Sequence, residues 1–151
     1  MEIRQLNNPG GEGEMKVKRL INPKWFSSDI PNLEDQVLMA NSCPGCGKIY
    51  FPPQRVCPAC MTMDQMDRRP LSKRGRLYSF TVSYAGPPGF ELPYAYGWVD
   101  LPEGIRLFSL LTQCEPFEDR LQLDIPVEMV IEKIKEDPEG TEIYGYKFRP
   151  V

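Results

Sequence analysis

The sequence predicts a mainly β protein in two small units: a pair of metal-binding knuckles followed by a barrel of short strands. Three observations predict it. Two Cys-x-x-Cys pairs, Cys43-Pro44-Gly45-Cys46 and Cys57-Pro58-Ala59-Cys60, are separated by ten residues. From Gly75 onward, short stretches of alternating apolar and polar residues recur between turn signals. Sixteen prolines and twelve glycines in 151 residues favour turns and short strands over long helices.

Each Cys-x-x-Cys can fold as a tight turn that aims two sulfurs at one cation. Two facing turns then supply the closed four-sulfur tetrahedron of a structural zinc site. The intervening Gly47-Lys48-Ile49-Tyr50-Phe51-Pro52-Pro53 is long enough for a strand and a return turn, which makes a rubredoxin-like zinc ribbon. Iron uses the same four thiolates, and spacing does not separate the two metals. A disulfide framework is disfavoured because Met1 to Asn8 lacks the apolar core of a secretory signal, and a cytoplasmic chain keeps its thiols reduced. A thioredoxin-type redox pair would need one Cys-x-x-Cys at a helix start, not two pairs flanked by prolines.

In chain order, residues 1–36 read as an N-terminal arm with a short helical segment. Asn7 to Gly13 has loop composition, and residues 1–20 offer no periodic apolar face, so the arm is expected to lie along a partner. Ile21 to Phe26 suits one helical turn anchored by Trp25 and Phe26, and Asn32-Leu33-Glu34-Asp35 resembles a brief helix start. Residues 37–70 form the ribbon: Val37 to Ala40 enters the first knuckle as a strand paired with Lys48 to Phe51, and Met61 to Pro70 is a polar connector. Residues 71–151 form the barrel. Tyr78, Phe80, Val82 and Tyr84 share one face of its first strand. Pro87-Pro88-Gly89 breaks that strand, and Tyr94, Tyr96 and Trp98 share a face of the second, as barrel core or partner interface. Ile105 to Thr112 gives the third strand, Val127, Met129 and Ile131 mark the fourth, and Tyr144, Tyr146 and Phe148 mark the fifth after an Asp137-Pro138-Glu139-Gly140 hairpin. Five such strands fit an OB-fold barrel.

Composition bounds the function. The chain has no histidine, so His-based acid–base or nucleophilic catalysis and His metal ligation are closed to it. A net charge of −3 gives no overall attraction to nucleic acid or anionic membrane, and no apolar run approaches the roughly 20 residues of a membrane span. The fifth cysteine, Cys114, reads as a small buried apolar residue rather than a nucleophile, having no local base. A basic run at the junction of the two units, Arg68, Arg69, Lys73, Arg74 and Arg76, reads either as a solvated linker or as a cradle for phosphates.

With both halves read, the chain resembles the small zinc-ribbon/OB-fold, acyl-CoA-associated proteins long catalogued as a domain of unknown function. The matching residues are Cys43-Pro44-Gly45-Cys46-Gly47, Phe51-Pro52-Pro53, Cys57-Pro58-Ala59-Cys60, Gly75 to Val82, Pro93-Tyr94 and the terminal Phe148-Arg149-Pro150. The resemblance covers about residues 37–151. It departs where Ile125-Pro126 replaces the usual Gly-Met and where the N-terminal helices of longer members look shortened.

The resemblance implies a non-catalytic accessory subunit of a thiolase-like enzyme in a cytoplasmic hetero-oligomer. Such a subunit shapes an acyl-CoA site, in some members within aromatic β-oxidation of the benzylsuccinate/toluene type. On that reading Cys43, Cys46, Cys57 and Cys60 hold zinc, while Lys73, Arg74, Arg76, Pro87, Gly89 and Phe90 contribute to a coenzyme A site shared with the partner. The alternative is a nucleic-acid-binding ribbon/OB module, since both folds serve that use.

Overall fold

The computed structural model describes residues 2–6, 15–28 and 33–151, with side chains from residue 17 onward. Among the described residues ten strands form two sheets. Strands β1 (Glu2–Leu6), β2 (Met15–Leu20), β6 (Arg74–Ser83), β7 (Tyr94–Asp100), β8 (Arg106–Leu110), β9 (Pro126–Glu136) and β10 (Glu142–Pro150) make the larger one, in the order β1-β2-β10-β9-β6-β7-β8. Strands β3 (Met39–Ser42), β4 (Ile49–Tyr50) and β5 (Asp67–Pro70) make the ribbon sheet, with β3 central. Among the described residues no helix is long and apolar enough to cross a membrane.

The five strands β6 to β10 roll into an OB-type barrel. The antiparallel order β10-β9-β6-β7-β8 closes where Leu111 bridges Phe148 in parallel and the Thr112 amide donates to the Phe148 carbonyl at 2.9 Å. Alternation sets the inner face: Ala95 and Val99 of β7, Leu107 of β8, Val127 and Met129 of β9, and Phe148 of β10 are all buried. Leu20, Phe26, Leu38 and Leu71 extend the same core toward the ribbon.

Several expectations are corrected here. Phe80 and Val82 share a face and pack against the core, but Tyr78 does not join them and Tyr84 lies exposed beyond the strand's end. A bulge between Leu77 and Ser79 makes Tyr78 an extra residue, so Leu77 is buried while Tyr78 turns outward, 53% exposed. A bulge inserts one residue and so reverses the alternation beyond it. Tyr94, Tyr96 and Trp98 are not barrel core. Their inward neighbours are Ala95, Gly97 and Val99, and Trp98 is 46% exposed on the outside.

Residues 67–70 are not connector but β5, whose Asp67↔Ser42 to Pro70↔Met39 register adds a third ribbon strand. Polar side chains hid it, because all four residues are exposed. The arm, expected to have no core of its own to join, is tied down at its end. β2 pairs in parallel with β10 through Lys18↔Glu142 to Leu20↔Tyr144, and Leu20 is buried. The helical turn after it is a 3-10 turn, Pro23–Trp25, capped by the Asn22 side chain accepting from the Lys24 amide. No helix follows Leu33, and Asn32 lies outside the described residues.

Candidate metal centre and aromatic groove

The two Cys-x-x-Cys turns are near copies in backbone. In the first, the Gly47 amide donates to the Cys43 carbonyl at 2.8 Å and the Cys43 amide to Lys48 at 3.0 Å. In the second, the Met61 amide donates to Cys57 at 2.8 Å and the Cys57 amide to Thr62 at 2.9 Å. Gly47 and Met61 hold the same left-handed position, with φ of 74° and 62°. Glycine adopts that conformation freely, whereas a methionine there is strained.

The four sulfurs converge within 4.8 Å of one another. Cys43 and Cys60 Sγ are 3.2 Å apart, and Cys46 and Cys57 Sγ 3.6 Å. A tetrahedron built on Zn–S bonds of about 2.3 Å has edges of roughly 3.8 Å, so the cluster fits one such ion. These separations are far from the roughly 2.05 Å of a disulfide. Cys43 and Cys57 are buried, and Cys46 and Cys60 are exposed.

Amide hydrogen bonds favour thiolate at Cys43 and Cys57, whereas at Cys46 the Lys48 amide is outweighed by burial and by the neighbouring Cys57 and Cys43 sulfurs, which push the thiol up to about 11. The Cys46 backbone amide, with that of Gly45, holds the Cys43 thiol below its ordinary value. Burial works against ionisation of Cys57, yet the amides of Cys60 and Ala59 and the Tyr50 hydroxyl outweigh it and pull the thiol to about 6. A closed four-thiolate site with no open position is structural: bound zinc cross-links the two turns and contributes folding energy.

The remaining candidate residues are not brought together. Lys73, Arg74 and Arg76 lie at the start of β6, while Pro87, Gly89 and Phe90 lie in the loop after its end, so the basic run is not beside the proline loop as expected. The ten-residue strand β6, bulged at Tyr78, separates them, a contour of about 33 Å if fully extended. The cations are also engaged: Lys73 Nζ donates to the Glu34 carbonyl at 2.7 Å, Arg74 lies 3.9 Å from Glu128, and Arg76 donates to the Asp124 carbonyl at 2.8 Å. Cys114 is half-buried, and burial pushes its thiol up, away from nucleophilic use.

What the loop does join is a groove of about 620 Å³ on the outside of the barrel, over the seam between β8 and β10. Tyr94, Tyr96 and Phe108 line one side, Trp25 and Tyr146 the other, and Phe90 lies against Tyr94. Tyr146 spans the seam, its hydroxyl donating to the Phe108 carbonyl at 2.7 Å; burial pushes its phenol up to about 12. Phe51, from the ribbon, wedges edge-on against Trp25 (5.7 Å) and Tyr146 (5.6 Å) and joins ribbon, arm and barrel. Sequence reasoning missed Trp25 and Tyr146 as groove residues. No local signal was available, because Trp25, Phe51 and Tyr146 are far apart in sequence and meet only in the fold.

Comparison with known proteins agrees with this architecture. Residues 33–61 match the family model described as the ChsH2 rubredoxin-like zinc ribbon domain, and residues 68–132 match the ChsH2 C-terminal OB-fold domain. A scaffold protein of Methanocaldococcus jannaschii containing the DUF35 domain is 33% identical, over 91% of this chain and 99% of its own. The benzoylsuccinyl-CoA thiolase subunit BbsA of Thauera aromatica is 35% identical, over 72% of this chain and 73% of its own. A solved structure titled Ltp2-ChsH2(DUF35) aldolase superposes with a TM-score of 0.57 at 32% identity, covering 76% of this chain and 84% of that one. The chain therefore belongs to the DUF35 family of ChsH2-type zinc-ribbon/OB-fold proteins.

Proposed function

We propose that this chain is the zinc-binding accessory subunit of a thiolase-fold acyl-CoA enzyme in the cytoplasm, with the acyl-transfer residues supplied by the partner. The observation that carries the reading is similarity over nearly the whole length of one relative named as a scaffold, together with similarity to another named as a thiolase subunit. The chemistry of the chain is compatible: its metal site is closed, it has no histidine, and its spare thiol is pushed up. The outer aromatic surface, with Trp98 and Phe108 each nearly half exposed, is the composition that interface cores favour.

The finer reading places acyl-CoA at the Pro87, Gly89 and Phe90 loop and the apolar groove beneath it, shared with the partner. Lys73, Arg74 and Arg76 form a separate contact for anionic groups, each exchanging its present carboxylate or carbonyl for a phosphate. The substrate class is an aromatic acyl-CoA, as the name of the Thauera relative suggests. The test is co-expression with a thiolase-fold protein from the same genome, followed by light scattering and acyl-CoA binding. A stable hetero-oligomer, with acyl-CoA affinity weakened by Phe90→Ala, is expected; a chain that never co-elutes overturns the proposal.

A nucleic-acid module is the second reading. Tyr78, Trp98 and Phe108 are open on the first three barrel strands, and the face of strands two and three is where OB folds take oligonucleotides. Against it, Arg106 is stacked on Tyr78 and paired with Asp100 at 2.6 Å. Salt-dependent binding of single-stranded DNA by the isolated chain would favour this second reading.

A further inference from the structure

The two knuckles match in backbone but differ around their sulfurs. Cys43 receives the amides of Gly45 and Cys46, Cys57 those of Ala59 and Cys60, and Cys46 that of Lys48. Two hydroxyls break the symmetry, and both serve the second knuckle. Tyr50 Oη lies 3.6 Å from Cys57 Sγ, and Thr62 Oγ1 lies 3.1 Å from Cys60 Sγ. Tyr50 belongs to β4, on the first knuckle's hairpin, so its contact crosses from one half of the centre to the other.

Four thiolates around a dication leave a charge of about −2 to be offset by hydrogen-bond donors. A metal-bound thiolate has no proton, so in both contacts the hydroxyl donates and the sulfur accepts. The second knuckle also carries the strained left-handed Met61 where the first has Gly47, and Cys60 is exposed. It is the half with more to lose.

We propose that Tyr50 and Thr62 are the outer-shell donors that retain zinc, and that the Cys57–Cys60 half is where release begins. This goes beyond the accessory-subunit reading and does not depend on it. Outer-shell partners of metal ligands typically change affinity about 10- to 100-fold.

The test uses the full zinc-loaded chain with a chromophoric chelator in excess, following zinc release in wild type, Tyr50→Phe, Thr62→Val and Thr62→Ser. Tyr50→Phe and Thr62→Val are expected to release zinc at least about tenfold faster, while Thr62→Ser keeps the wild-type rate. Tyr84→Phe, which removes an exposed barrel hydroxyl that donates to Glu118, is the control and should leave the rate unchanged. Cobalt substitution supplies a readout that packing alone does not move: the sulfur-to-cobalt charge-transfer band should shift in Tyr50→Phe. Release within twofold of wild type overturns the proposal. So does faster release with an unshifted band, which would make Tyr50 a packing residue only. If Tyr50→Phe fails to fold, the Thr62→Val and Thr62→Ser pair decides: equal rates overturn the proposal, and unequal rates in the stated order support it.

Discussion

Replacing Phe51 with alanine should uncouple the ribbon from the barrel. Phe51 is half-buried at the ribbon's edge and makes edge-on contacts with Trp25 and Tyr146. Each such pair is worth about 0.5–1.5 kcal/mol beyond area. Half-burial of the ring adds about 1 kcal/mol, from the roughly 1.5–3 kcal/mol of a fully buried side chain. The loss is therefore about 2–4 kcal/mol, concentrated at the junction. Two probes in one urea titration separate the units: zinc release to a chromophoric chelator reports the ribbon, and far-ultraviolet circular dichroism reports the barrel. In the wild type the two transitions should coincide. In Phe51→Ala the zinc transition should move about 1–2 M lower, using an m-value near 2 kcal/mol/M, while the barrel transition moves less. If both stay coincident and shift by under about 0.3 M, a small fraction of that displacement, the aromatic junction is not what couples the units.

Four further outcomes are expected. Gly97→Ala should cost about 3 kcal/mol or more in urea denaturation, because a Cβ there would sit 2.0 Å from the Ser79 carbonyl oxygen, opposite the bulge. Met61→Gly should slow zinc release about two- to fivefold by relieving roughly 0.5–1 kcal/mol of left-handed strain. Leu20→Ala should lower barrel stability by about 2–4 kcal/mol, since this side chain at the end of the arm is buried in the core.

Glu132 should show in the acid limb. Burial favours its neutral form, but hydrogen bonds from Gln113 and Thr112 and the charge of Lys147 outweigh that and hold it below the ordinary value of 4.5. A depressed carboxylate stabilises fully above its unfolded pKa and loses that contribution as pH falls through its folded value. Glu132→Gln should therefore be less stable at neutral pH and flatter between about pH 5 and pH 3.

The ribbon was legible because its chemistry is local. Two residues between cysteines define a knuckle, and a tetrahedral metal needs two knuckles, so spacing alone carries the site. The barrel was legible as a set of strands because turns such as Asp137-Pro138-Glu139-Gly140 mark their ends. Faces were less legible, because alternation says which residues agree and not where agreement stops. The Tyr78 bulge shows the reason: nothing in Leu77-Tyr78-Ser79 announces an inserted residue. Gly97, paired with Phe80 just past the insertion, leaves room for the Ser79 carbonyl, which stands 2.0 Å from where a Cβ would be. β5 was missed for a related reason, since a strand with all four residues exposed has no apolar signal to read.

The groove was hidden by topology. Its walls come from residues 21 and 25, from the loop at 87 and 90, from β7 and β8, and from β10. No local window contains more than two of these pieces. The aromatics on the outside of β7 looked like core because aromatic alternation ordinarily marks a buried face. Here the core side is taken by Ala95, Gly97 and Val99, residues small enough to let neighbouring strands close into a narrow barrel. The interior is already filled by Phe148 and its apolar neighbours, so three more rings from β7 would overpack it, and Tyr94, Tyr96 and Trp98 turn outward. The ribbon then covers part of what has been expelled, through Phe51, and leaves the rest open between Trp25 and Phe90. Metal binding, ribbon folding and the shape of the groove thus meet in the adjacent residues Tyr50 and Phe51, one facing a zinc-site sulfur and the other the wall of the groove. A variant that loosens the metal should for that reason also loosen the groove. Chelating the zinc from the wild-type chain and watching the environment of Trp25 by fluorescence, in a Trp98→Phe background, would show it: a red shift on zinc removal is expected, and an unchanged spectrum would mean that the wall stands without its metal.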